Sequence, residues 1–154
     1  MTRNIGRFLG GLFAGLLLVA IGCQGLGQQV ASVEGMVTLD GKPLDGIEVH
    51  FVPDGTKGTA GPRAVGTTDG KGQFTLTCGE LGSGAIVGHH RVMFVDTWAL
   101  PAVPDRREPK HAVTRKVLER PRIADAYSQV TTTPVRQEVK AGSQTIELKL
   151  VANP

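Results

Sequence analysis

From Val30 onward the chain alternates apolar and polar positions in short runs. Val33, Gly35, Val37 and Leu39 are separated by Glu34, Met36 and Thr38. A period of two sends alternate side chains to opposite faces, so this run predicts a half-buried strand. Asp40-Gly41-Lys42-Pro43 ends it with turn chemistry, and Ile47, Val49 and Phe51 repeat the alternation up to Pro53-Asp54-Gly55. Thr56 to Pro62 reads as a flexible loop. Ala64 to Thr68 and Gln73 to Thr77 read as a hairpin around Asp69-Gly70-Lys71-Gly72, with Phe74 and Leu76 inward. After a Gly-rich stretch at 79–88, Val92 and Phe94, with His90 in the same phase, predict a strand that ends at Asp96. Val135 to Val139 and Thr145 to Val151 read as a last hairpin around Lys140-Ala141-Gly142-Ser143. Strands at this spacing, with no helical stretches between them, predict an all-β sandwich or barrel.

Residues 98–129 break the rhythm. The segment holds Pro101, Pro104, Pro109 and Pro121 and the cations Arg106, Arg107, Lys110, Arg115, Lys116, Arg120 and Arg122, interspersed with Asp105, Glu108, Glu119 and Asp125. Four prolines in one stretch argue against a central strand there. Val113, Val117 and Leu118 allow one or two helical turns. Long connections of this kind are functional or disordered, so the seven cations are the candidate contact surface, suited to acidic glycans or lipid headgroups. A solvated loop is the alternative, and residues 99–122 are expected to be dispensable for the fold.

Composition narrows the class. The 154 residues include 21 Gly and 9 Pro but one Trp, one Tyr and five Phe. So few rings are poorly suited to stacking on bases, which argues against nucleic acid. The formal charge of +3 includes Arg3 and Arg7 of the N-terminal segment, and without those two it is +1.

That segment resembles a bacterial lipoprotein signal. Arg3 and Arg7 precede an uncharged apolar run from Phe8 to Ile21, short for a membrane span but suited to a signal peptide. The run ends in Ala20-Ile21-Gly22-Cys23, which is similar to a lipobox, with Ala20 where Leu is usual. The resemblance implies a signal peptide at 1–22, diacylglyceryl and acyl chains on Cys23, a tether at 23–29 and a folded domain at 30–151. Gln24 in place of Asp favours an outer membrane, facing periplasm or exterior. Cys78 is then a lone thiol, and its place after Phe74 and Leu76 in the same phase predicts a buried small apolar side chain.

The domain itself resembles a known group. Val33-Glu34-Gly35-Met36-Val37-Thr38-Leu39-Asp40-Gly41-Lys42-Pro43-Leu44, followed by Ile47-Glu48-Val49-His50-Phe51-Val52-Pro53, looks like the opening of carboxypeptidase regulatory-like domains. Thr67-Thr68-Asp69-Gly70-Lys71-Gly72-Gln73-Phe74 is similar to their "T-D-x-x-G-x-F" turn, and Gly88-His89-His90-Arg91-Val92 to their "G-x-Y-x-V" strand. Ile123 to Tyr127, Thr131-Thr132-Thr133-Pro134 and Ile146 to Leu150 are similar to the last strands of small bacterial lipoproteins of this group. The resemblance implies a seven-stranded Greek-key β-sandwich of the transthyretin (prealbumin) type. Its motifs are turn and core residues and imply no chemistry.

Catalytic or covalent relatives of that fold type leave recognisable marks. Hydroxyisourate hydrolases end in Tyr-Arg-Gly-Ser, whereas this chain ends Val151-Ala152-Asn153-Pro154. Intradiol dioxygenases use two Tyr and two His around iron, and Tyr127 is the only tyrosine. Lys–Asn isopeptide domains need a buried Asn, and beyond the signal segment only Asn153 is present. His89 and His90 are neighbours on a strand and point to opposite faces, so they cannot chelate one metal together. Ser32, Ser83, Ser128 and Ser143 sit in turn or tether contexts, and Asp40, Asp54 and Asp69 each precede Gly. The sequence therefore predicts no enzyme, no cofactor and no metal. It leaves a lipid-anchored binding or adaptor module for envelope protein or glycan, a structural spacer, and a hydrolase built on clustered histidines as readings in that order.

Overall fold

The computed structural model describes residues 28–99 and 121–152. Within them lie strands β1 (Val30–Ala31), β2 (Val33–Leu39), β3 (Lys42–Pro43), β4 (Ile47–Pro53), β5 (Ala64–Thr67), β6 (Gln73–Thr75), β7 (Ala85–Ile86), β8 (Gly88–Asp96), β9 (Arg136–Val139) and β10 (Gln144–Leu150), with three short 3₁₀ turns. The class is all-β, as the alternation predicts. In one sheet β2 is flanked by β10 on one side. On the other it pairs with β6 through Glu34–Met36 and with β3 through Thr38 and Leu39. The β10–β2 pair is parallel, from Gln144 opposite Val33 to Leu150 opposite Leu39. The second sheet, β5-β4-β8-β9, is antiparallel throughout. β1 and β7 form a separate two-residue pair.

Both sheets bury one face in a single core. Val33 and Val37 of β2, Ile47, Val49 and Phe51 of β4, and Val92 and Phe94 of β8 have no exposed surface. Ile146, Leu148 and Leu150 of β10 join them, as do Phe74 and Leu76. Their apolar area leaving water is the main stabilising term. Gly35 holds an inward position that nothing larger could fill. A Cβ there would stand 2.3 Å from the Ile146 carbonyl oxygen and 2.5 Å from the Phe74 ring.

The structure bears out the first hairpin expected from the sequence only in part and corrects the second. β5 and β6 run antiparallel side by side, with Gly66 against the Thr75 carbonyl. They are hydrogen-bonded only through reciprocal bonds between Val65 and Thr77 and one from Asp69 N–H to the Gln73 carbonyl. Between these points β6 pairs with β2, so Asp69–Gly72 turns a corner between the sheets. The Asp69 carboxylate fastens that corner by accepting from the N–H groups of Lys71 and Gln73. Likewise β9 pairs with β8 and β10 with β2, not with each other. Period and turn chemistry place strands and turns but do not tell a turn within a sheet from one between sheets.

Two irregular regions are more ordered than expected. The 54–63 loop opens with a 3₁₀ turn whose Asp54 Oδ1 accepts from Thr56 N–H and from Thr56 Oγ1 at 2.7 Å. Buried Thr59 then accepts from His89 N–H at 2.8 Å. Within the segment expected at 98–129, the returning part joins the core: Ile123 is 4% exposed and Tyr127 9%, its ring edge-on to Phe94. Its break in alternation marked a turn lying against the sheet.

Candidate functional site

The densest polar arrangement among the described residues lies at the end of β8. Alternation places Asp96 in the inward phase of His90, Val92 and Phe94, and its side chain is 1% exposed. A carboxylate so enclosed needs donors or a cation. It finds four. Oδ1 accepts from Trp98 N–H at 3.1 Å and from Arg122 Nη2 at 2.7 Å. Oδ2 accepts from Arg122 N–H at 2.8 Å and from Arg122 Nε at 2.9 Å. Burial acts to raise the Asp96 pKa, but hydrogen bonds from the Arg122 side chain and from the backbone of Arg122 and Trp98 outweigh it, leaving the pKa below its usual value. The same bond to Asp96 raises that of Arg122.

The guanidinium is also held on its other sides. Nη2 donates to the Asp45 carbonyl at 2.8 Å, Nη1 to Asp45 Oδ1 at 3.2 Å, and its plane sits 4.5 Å from the centroid of the Trp98 ring. Trp98 in turn covers Gly46, where a Cβ would fall 2.3 Å from Nε1 and where φ is +65°. Thr97 donates to the Gly46 carbonyl from both its N–H and its Oγ1. Trp98 and Arg122, on either side of residues 100–120, thus meet in one clasp. Beside it lies a small cleft lined by Phe94, Ala99, Pro121, Ile123 and Ser128.

Arg122 is the one member of the expected cationic surface among the described residues, and its charge is committed inside the domain. Arg106, Arg107, Lys110, Arg115, Lys116 and Arg120 lie outside the described residues, as does the lipidation candidate Cys23. No motif in the sequence marks Asp45, Asp96 or Trp98 as site residues. Asp96 carried a signal: an acid in the buried phase of a strand requires a cation, although the sequence did not say which.

Among the described residues the histidines do not converge, and His111 lies outside them. His89 is exposed, and His90, on the opposite face, is 1% exposed with its ring 5.8 Å from Phe51. Its Nδ1 lies 3.1 Å from the Gly88 carbonyl, while Nε2 has no hydrogen-bond partner among the described residues. Burial lowers the His90 pKa. His50 projects from the other face of β4, where Nε2 is 3.0 Å from Glu48 Oε1 but out of line for a hydrogen bond. Burial is also the main cause of its lowered pKa, opposed by Glu48 and aided by Arg63. Among the described residues no three His, Cys, Asp or Glu side chains are grouped to hold a metal ion. Cys78 is fully buried, its Sγ 3.6 Å from the Pro62 carbonyl, and burial raises its pKa. It is a core residue, as its phase predicts.

No family model, curated protein or solved structure matches the chain.

Proposed function

We propose that the chain is a lipid-anchored, non-catalytic envelope protein whose β-sandwich presents a basic segment to an acidic glycan or an acidic face of an envelope protein. The observation that carries this reading is the clasp of Asp96, Arg122, Asp45 and Trp98. It fixes the two ends of the 100–120 segment at one point on a rigid sheet, as binding loops on scaffolds are held. That segment carries six cations against three acids, Asp105, Glu108 and Glu119, which suits an anionic partner. The parallel β10–β2 pair and the two inter-sheet corners support a Greek-key, transthyretin-like topology. The charged n-region, the short apolar run and Ala20-Ile21-Gly22-Cys23 support lipidation at Cys23, probed by palmitate labelling of Cys23→Ser.

The deciding experiment uses the chain without residues 1–23, so that no lipid anchors it. It replaces Arg106, Arg107, Lys110, Arg115, Lys116 and Arg120 by Ser, leaving Arg122 intact, and measures association with the cell envelope against salt. The reading expects binding at low salt to fall and its salt dependence to flatten, because exposed charges are screened beyond about 8–10 Å at physiological salt. Unchanged association would favour a spacer instead.

A further inference from the structure

The edges of the two sheets are not treated alike. The free side of β5 is bridged by Thr77, and β3 has two residues, β6 three and β9 four. β10 is seven residues long, pairs among the described residues only with β2, and has no proline or bulge. Gln144 N–H bonds to Ser32 and the Leu150 carbonyl accepts from Asp40, so the even-numbered residues of β10 direct their backbone groups to β2. By strand geometry Thr145, Glu147 and Lys149 turn their N–H and carbonyl groups to the open edge, with their side chains on the exposed outer face. Such an edge is a template for another strand.

The charges on this edge select the partner. Antiparallel pairing joins residues whose backbone groups face each other, which on β10 are the odd-numbered ones. A two-fold axis at Leu148 places Glu147 opposite Lys149 of a second copy and Lys149 opposite its Glu147. Thr145 meets Val151, whose N–H is otherwise held only by Tyr127 Oη at 3.4 Å. Neighbouring symmetric registers set Glu147 against Glu147 or Lys149 against Lys149, which disfavours them. One strand thus carries a self-complementary pattern, as an isologous interface requires. We propose that β10 is a homodimerisation edge, joining two copies antiparallel about Leu148 into one continuous sheet.

Charge reversal and swap test this. Sedimentation of the full chain in detergent over a range of concentrations should show a dimer. Glu147→Lys or Lys149→Glu, each making two like-charge pairs, should weaken it about tenfold. The double variant, Glu147→Lys with Lys149→Glu, should restore it. Both side chains are exposed (52% and 73%), and an unchanged melting temperature shows that folding is not at issue. Glu147→Pro, which removes an outward donor, should be monomeric. A monomeric parent, a dimer indifferent to either reversal, or a double variant as weak as the singles would overturn the proposal.

Discussion

The two long sides of the sandwich are finished in opposite ways. On the β5/β6 side, Val65 and Thr77 exchange backbone bonds, the Asp69 carboxylate fastens the corner, and Leu76 and Cys78 fill the space beneath with no exposure. On the β9/β10 side, among the described residues, no backbone bond links the sheets and a run of outward peptide groups has no partner strand. Both sides are equally dry inside, since Val139 is 1% exposed and Leu148 3%. The difference shows that burying a core and closing a sheet edge are separate tasks. The first is met by side-chain phase, the second by where the chain changes sheets.

The largest effect is expected on the sealed side. Phe74→Ala removes a ring packed against Gly35 and should cost about 3–5 kcal/mol in denaturant unfolding. A loss below about 1 kcal/mol would show that the corner does not depend on its filling. Next comes the clasp. Arg122→Met leaves Asp96 enclosed without its cation and should cost about 3 kcal/mol. Adding Asp96→Asn should recover part of that, and additive losses would refute the coupling.

The open side carries a pH dependence. His90 lies one strand from the β9 edge, opposite Gln137. Its ring faces Phe51, and the one neighbouring titratable group acting on it is His89. Its folded pKa is lowered, so the unfolded chain takes up the proton first, and stability falls as pH drops below about 6.5 toward the folded value. His50 adds in the same direction. The unfolding free energy should fall between pH 7 and pH 5, by up to about 1.4 kcal/mol per pH unit for each proton, and the melting temperature with it. His90→Gln should flatten that slope, and an unchanged slope would remove His90 as its source. The smallest effect is at the edge itself, where Lys149→Glu should alter monomer stability by less than about 0.5 kcal/mol. A larger loss would mean β10 is held by its outward face.

Much of this was legible in the residues. Val33, Val37, Val49, Phe51, Val92, Phe94 and Leu148 announce their inward phase by alternation, and burial of Phe74, Leu76 and Cys78 follows from the same rule. What escaped was pairing. Asp69-Gly70-Lys71-Gly72 and Lys140-Ala141-Gly142-Ser143 carry hairpin chemistry, yet each hands the chain to the other sheet. That outcome depends on which distant strand completes the ladder, here β2 in both cases. The clasp escaped for a related reason. Arg122 is one cation among seven in its segment, and only tertiary contact with Asp96 and Asp45 distinguishes it from a solvated charge. The order of the 54–63 loop rests on Asp54, held to about pKa 2 chiefly by the Thr56 hydroxyl, and on a bond from His89 that no local pattern records.

The parallel β10–β2 pair has a mechanical consequence. The chain enters the ladder at Val33 and leaves it at Leu150, at opposite ends of the same seven-residue register. Tension applied between the segments before β1 and after β10 therefore loads that ladder in shear. Its backbone bonds must yield together, whereas a hairpin pulled from one end unzips one bond at a time. Resistance to forced unfolding is set by the rate of crossing that barrier. A domain held at one end and pulled at the other bears the force along its first long strand and its last.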